Sequence, residues 1–326
     1  MRRFQVASHR PEQIMSQQNS AHARQVAVET PRLADGMTMG RGTAHPRDLL
    51  KMRLAAVKAV FRYQPQIDLH NGRIAGVESV LCVPGVHGYR PATQLTAEID
   101  AAGLGLALAE YQLRDACREQ RNWLQGFAHD FPIGIPVSQW ILGNAVLLPL
   151  AQHILAEFGL APTLLEFEVE EKALGMSATA LQAFSRVRDA GMPIAIDGFN
   201  AAHANLRLLA MMPISKLRVP ALPLLRSGDG MPEKAVFDGI LGAARGLGIL
   251  VCATGVSSPE ILAAVLRQGR PLAQGTELGS MLDGAQFLQC LRDRNETTAT
   301  LPLLLPDNVG FAQDSAPPLP ASVSVG

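Results

Sequence analysis

Several residues able to do chemistry stand where short β-rich runs of this chain end. Glu78 lies in GVESVL, Glu168 and Glu171 in LEFEVEE, Asp197 in IAIDGFN and Arg218 in KLRVP. Pro136 and Ser138 lie in GIPVS, Thr254 in VCATGVSS and Gln274 in LAQG. Carboxylates, a guanidinium, a carboxamide and a hydroxyl gathered in one place can hold ions or move protons. Glu170 and Glu171 read instead as surface or helix-start carboxylates. The eight histidines form no HxH or HxxxH pair, and Cys82, Cys117, Cys252 and Cys290 show no CxxC spacing. Neither a zinc site nor a redox motif is therefore indicated.

Those residues act together only if the intervening elements bring the run ends to one place. The β-rich runs are Phe61–Leu69, Arg73–Val83, Ile133–Val137, Leu164–Val169, Pro193–Ile196, Ser215–Val219 and Gly248–Cys252. Helical spacing marks Leu104–Trp123, Leu148–Phe158, Ala178–Ala190, Pro232–Leu247 and Pro259–Gln268. Asn71-Gly72 separates the first two runs and predicts a hairpin turn. Repeated strand–helix units argue a parallel sheet. So many in one stretch argue a closed βα barrel opened by an antiparallel hairpin strand, with the chemistry at the C-terminal strand ends.

Composition narrows the function classes. Lys+Arg and Asp+Glu are equal at 29 each, which gives nonspecific nucleic-acid binding no positive footprint. Hydrophobic residues make up 48%, enough for a sizeable core. No run is long and apolar enough to span a bilayer. Arg2 and Arg3 are followed by no apolar stretch of the signal-peptide kind. Free cysteines in apolar runs fit a reducing cytoplasm. Residues 1–44 read as a disordered leader, 45–296 as the folded domain, and 297–326 as a flexible Pro/Ser-rich tail.

The strand-end motifs resemble, in order, those of the EAL domain family of cyclic di-GMP phosphodiesterases. That family carries YQPIVDL, GxEALLRW, NLS, LELEITE, IAIDDFGTG, LKID, AEGVE and a final QG. This chain reads YQPQIDL, GVESVLCV, IPVS, LEFEVEE, IAIDGFNAA, KLRVP, ATGVS and AQG, between about Phe61 and Phe287. The resemblance implies a TIM-type (β/α)8 barrel with an antiparallel first strand. It also implies hydrolysis of cyclic di-GMP assisted by two divalent cations, Mg2+ or Mn2+, a site that needs many oxygen ligands.

Carried over residue by residue, Glu78, Glu168 and Asp197 stand at metal-ligand positions, and Gln274 at a ligand-binding one. Pro136 replaces a ligating Asn, Gly198 and Pro220 replace ligating Asp residues, and Thr254 replaces a catalytic Glu. Arg218 replaces a Lys, keeping the charge with a different geometry. Cys82 replaces an Arg that helps to hold phosphate. The DGFNAAH stretch from Asp197 to His203 replaces a loop that supports the metal site and dimer contacts. Three carboxylates can gather one weakly held cation. Close like charges repel, so that cation or Arg218 should sit among them.

The expectation drawn from these departures is a degenerate EAL domain that is not an enzyme, because a unit of interdependent groups has lost several members at once. No catalytic residue and no cofactor beyond weak Mg2+ or Mn2+ is expected. Glu78, Glu168 and Asp197 are then a vestigial metal cluster, and Gln274 with Arg218 a vestigial ligand site. Such a protein acts by binding a protein partner, or cyclic di-GMP weakly, to control gene expression. The family's stand-alone repressors of virulence or motility genes are the model for this. A homodimer is allowed; direct DNA binding and membrane attachment are not expected. An active cyclic di-GMP phosphodiesterase and a non-hydrolysing cyclic di-GMP receptor remain the alternatives.

Overall fold

The computed structural model describes residues 45–86, 88–125, 130–171, 178–199, 206–226, 232–269 and 271–296. The expected leader 1–44 and tail 297–326 lie outside the described residues.

The first described element is a helix, α1 (Pro46–Ala56), that the sequence reading did not anticipate. Its start is well specified: the His45 side chain accepts a hydrogen bond from the Arg47 amide, Pro46 occupies the first turn, and Asp48 faces the positive helix end. Strands β1 (Val60–Asp68) and β2 (Ile74–Gly85) follow as the expected antiparallel hairpin, in a register that pairs Gln64 with Glu78. The connection is longer than a two-residue turn. The Asp68 carboxylate accepts from the His70 amide (2.8 Å) and from Asn71 Nδ2 (2.7 Å). Gly72, at φ 72°, takes the left-handed conformation that closes the loop.

β2 runs beyond the barrel and pairs with β3 (Gly88–Pro91), which the sequence reading missed. All four β3 residues are exposed, so no alternation of apolar and polar residues marks them. Parallel strands then alternate with helices: β4 (Ile133–Pro136), β5 (Leu165–Glu170), β6 (Ile194–Asp197), β7 (Lys216–Pro220), β8 (Leu250–Thr254) and β9 (Leu272–Ala273). The helices are α2 (Thr93–Ala101), α3 (Gly105–Leu124), α4 (Gln139–Leu142), α5 (Leu147–Phe158), α6 (Ala178–Asp189), α7 (Leu206–Met211), α8 (Pro232–Gly246), α9 (Pro259–Leu266) and α10 (Gly284–Glu296).

Strand order is β1-β9-β8-β7-β6-β5-β4-β2, and β1 pairs again with β2, so eight strands close a barrel with β3 outside it. β1 is antiparallel to both neighbours, β2 and β9. The other barrel strands run parallel. The fold is therefore the expected (β/α)8 barrel with an antiparallel first strand.

Period-two alternation divides each strand between two environments. Leu165, Phe167 and Val169 of β5 and Leu217 and Val219 of β7 are buried in the continuous apolar core. Their alternates, Glu166, Glu168, Lys216 and Arg218, are also buried but are polar. Glu171 shares the parity of Val169 and is buried, so of the two expected settings, surface or helix start, it is not at the surface but opens a helical turn directly after β5; Glu170 is exposed. Trp123 on α3 anchors the core. Its ring meets Tyr63 edge-on at 4.9 Å and Phe287 at 4.5 Å, and its indole N–H donates to the Gly284 carbonyl at 3.0 Å. A second apolar cluster joins Leu50 and Leu54 of α1 to Leu81, Ile99, Leu104 and Leu108.

Candidate functional site

The polar alternates of non-adjacent strands meet inside the barrel, in two layers. In the deeper layer Lys216 Nζ donates to Glu166 Oε1 at 2.7 Å and to Gln66 Oε1 at 2.8 Å, so β7, β5 and β1 are tied across the interior. Both charges are almost fully buried, and a lone charge there would be very costly; the pair and its amide partner satisfy each other.

The second layer lies two residues further along β5 and β7, toward their C-terminal ends, and holds the residues singled out above. Arg218 of β7 is at its centre. Its Nη2 donates to Glu78 Oε2 of β2 at 2.6 Å. Its Nη1 is in ion-pair contact with Glu168 Oε2 of β5, and its Nε lies 2.9 Å from Asp197 Oδ1 of β6. The last two approaches are close enough for ion pairs but are poorly aligned as hydrogen bonds. Gln274, which directly follows β9, donates to the same Glu78 Oε2 at 2.6 Å and to Gln64 Oε1 at 3.1 Å. The structure thus brings Glu78, Glu168, Asp197, Arg218 and Gln274 together.

Burial sets the electrostatics. Side-chain exposure is 5% for Arg218, 2% for Glu168 and 14% for Glu78, against 43% for Asp197. Desolvation pushes the Glu168 carboxyl up to about 8, aided by Glu78, Glu166 and Asp197 and opposed by Arg218. The three carboxylates hold Arg218 well above its ordinary value, so it is a permanent cation. One guanidinium among three carboxylates leaves the cluster net negative even with a proton on Glu168. Gly134 of β4 makes room for this arrangement: a Cβ there would come within 2.7 Å of Glu168 Cδ.

The other positions ring the cluster without joining it. Pro136 ends β4 opposite Glu168 in register and is exposed. Pro220 and Thr254 are paired at the ends of β7 and β8. Gly198 follows Asp197 at φ 71°, a conformation that favours glycine over a ligating side chain. Cys82 is fully buried against Met281, its Sγ 3.7 Å from the thioether sulfur, and burial raises its thiol to about 11. Asn200 to His203 lie outside the described residues.

Sequence reasoning missed Gln64, Gln66, Glu166 and Lys216. The pattern was available: Glu166/Glu168 and Lys216/Arg218 are two-residue steps of opposite charge on strands separated only by β6, with alternate side chains turned into the same interior. It also missed Arg62 of β1, whose guanidinium lies 4.1 Å from the Tyr89 ring centroid and within 3.4 Å of Asp283.

Fold and site together define a βα barrel with a buried ionic cluster at the C-terminal strand ends, where barrels of this kind place their chemistry. Residues 47–280 match the model of the EAL domain, and the chain belongs to that family. It is 27% identical over 241 residues to the bifunctional diguanylate cyclase/cyclic di-GMP phosphodiesterase MucR of Pseudomonas aeruginosa, covering 73% of this chain and 35% of MucR. It is 25% identical over 245 residues to the cyclic di-GMP phosphodiesterase NbdA of the same organism, covering 74% of this chain and 31% of NbdA. The chain thus spans about a third of the length of these relatives. The MucR phosphodiesterase in complex with cyclic di-GMP superposes with a TM-score of 0.66 at 26% identity, over 74% of this chain and 99% of that one. The EAL enzyme Bd1971, in its form with cAMP and cyclic di-GMP bound, gives 0.68 at 21% identity, over 75% and 68%, and supports the fold.

These matches correct one expectation. A chain that is not an enzyme is the expectation overturned: relatives matched over the same span are named as phosphodiesterases, and the family points to an enzyme. Substitutions at single positions do not by themselves remove a chain from the reaction class of its family.

The divalent cations that the resemblance implies do not fit the side chains present. Among the described residues, no group of three or more His, Cys, Asp or Glu is arranged to hold a metal. The carboxylates that would converge on a cation converge on Arg218. Among the described residues, no helix is long and apolar enough to cross a membrane.

Proposed function

We propose that this chain is a regulatory member of the EAL family that takes cyclic di-GMP weakly at the barrel mouth and passes its output through a protein partner to control gene expression. The observation that carries this reading is the closed ionic cluster of Arg218 with Glu78, Glu168 and Asp197. Arg218 already stands between all three carboxylates, so the site does not depend on an added cation for its integrity. The net negative charge of the cluster and the neutral thiol of Cys82 both weaken attraction for a dianionic dinucleotide. Exposed apolar side chains at the same end of the barrel support a partner surface. Trp140, just beyond β4, is 89% exposed, and Leu222 and Leu225, just beyond β7, are exposed as well.

Calorimetric titration with cyclic di-GMP, with and without Mg2+, tests the reading. Weak binding is expected, with a dissociation constant above about 1 μM that Mg2+ leaves unchanged. Tight binding that requires Mg2+ would overturn it. A second reading, phosphodiesterase turnover, is favoured by family membership and by the shared location of Glu78, Glu168, Asp197 and Gln274. Chromatography of the same mixtures for the linear dinucleotide, repeated with Mn2+, separates the two.

A further inference from the structure

The guanidinium of Arg218 occupies the space in which a shared cation would have to sit. Each of its three nitrogens faces a different carboxylate: Nη2 faces Glu78, Nη1 faces Glu168 and Nε faces Asp197. These residues come from β7, β2, β5 and β6, so the arrangement is held by the barrel frame and not by a mobile arm.

We infer that Arg218 is the resident cation of this site, a covalently tethered substitute for a divalent metal, and that the cluster takes neither Mg2+ nor Mn2+ while Arg218 is in place. The inference concerns the same site as the proposed function, but it stands on cation binding alone.

Three observations support it. The first is ligand supply. Glu78 Oε2 already accepts from both Arg218 and Gln274, and Glu168 uses Oε2 for Arg218 while Oε1 lies 3.4 Å from Gln66 Nε2. A hard divalent cation needs about six oxygens, and these carboxylates have few left to offer. The second is the surroundings. Pro136, Gly198 and Pro220, at the ends of β4, β6 and β7, carry no side-chain oxygen with which to complete a shell. The third is exclusion. Arg218 is nearly fully buried and cannot give up its proton, so a divalent cation entering the cluster would meet a fixed like charge at contact distance. Asp197, half-exposed at the rim, is the only one of the three acids that solvent reaches freely.

The deeper Lys216–Glu166 pair follows the same design two residues below, where a fixed side-chain cation again faces a buried carboxylate.

The test is Mn2+ binding to the full chain without any nucleotide, read from the loss of the free Mn2+ electron paramagnetic resonance signal. The parent protein is expected to show no site tighter than about 1 mM. Arg218→Ala is expected to gain Mn2+ affinity by at least about tenfold, and Arg218→Ala combined with Glu78→Gln to lose that gain. Two results would overturn the inference: a micromolar Mn2+ site in the parent that Glu78→Gln abolishes, or a folded Arg218→Ala protein with no gain at all. Should Arg218→Ala fold poorly alone, its thermal transition with and without Mn2+ gives the same answer. A rise in Tm confined to the variant supports the inference, and an equal rise in the parent contradicts it. None of these readings involves the dinucleotide, so weak nucleotide binding can fail while cation exclusion holds, and the reverse.

Discussion

Replacing Arg218 by Met keeps much of the aliphatic stem and removes the charge, leaving Glu78 and Glu168 buried with no cation between them. Breaking a buried ion pair by deleting one partner costs about 3–5 kcal/mol, because the remaining charge stays desolvated. The contact with Asp197 adds little to this, since that carboxylate is 43% exposed and solvent screens it. A loss of about 4 kcal/mol is a large part of the 5–15 kcal/mol that typically separates folded from unfolded chains. With a urea slope of about 2–3 kcal/mol per M, the unfolding midpoint should fall by about 1–2 M. The loss should also depend on pH. In the parent, burial raises the Glu168 carboxyl to about 8, so the folded chain holds a proton that the unfolded chain releases above about pH 4.3. A raised carboxylate destabilises the fold progressively as pH climbs through that window. Without Arg218 the main opposing pull is gone, the carboxyl rises further, and the gap between variant and parent should widen from about pH 6 to about pH 8.5. Urea unfolding followed by circular dichroism at the two pH values measures it. A loss below about 1 kcal/mol, or one that is flat with pH, would refute the claim that Arg218 balances buried charge.

Other consequences of the packing can be checked separately. Gly134→Ala places a methyl against the Glu168 carboxylate and should cost about 1–3 kcal/mol; pairing it with Glu168→Ala should return part of that loss in a double-mutant cycle. Gly275→Ala should lower Tm more steeply, because its Cβ would overlap the Val256 backbone, which cannot rotate away as a side chain can. An unchanged Tm would show that this loop has room to shift. Trp123→Ala should lose about 3–5 kcal/mol in denaturant unfolding, since the ring is fully buried against Tyr63 and Phe287. Binding of cyclic di-GMP, where measurable, should tighten as pH falls below about 8 and Glu168 takes up a proton; tightening in the opposite direction would place the ligand away from this cluster.

Much of the architecture was legible in the chain because it is written locally. The β-rich runs, the five helices read from their spacing and the Asn71-Gly72 connection are short-range patterns, and each sits within a few residues of its predicted bounds; α2 and α10 were not anticipated. β3 and β9 were not anticipated as strands. β3 is exposed throughout, and β9 is two residues long, too short for any periodicity to register. The short α4 and the opening α1 escaped for a similar reason, since their starts depend on single capping side chains, Ser138 and His45.

The amino-acid sequence by itself determined which groups could stand at the strand ends, and it carried the family motifs in order from YQPQIDL to AQG. It also determined that Pro136, Gly198 and Pro220 bring no side-chain oxygen there. Whether Glu78, Glu168 and Asp197 would lie open to solvent, around a cation or around Arg218 was decided only by tertiary structure. Glu78 and Arg218 are 140 residues apart, and nothing in either local pattern fixes their separation. Barrel closure does so: pairing β1 with both β2 and β9 sets the registers that turn alternate side chains of β2, β5 and β7 inward at one height. In that confined, water-poor space a permanent cation and several carboxylates must be matched against one another, and the 2.6 Å contact of Arg218 with Glu78 is the outcome of that constraint.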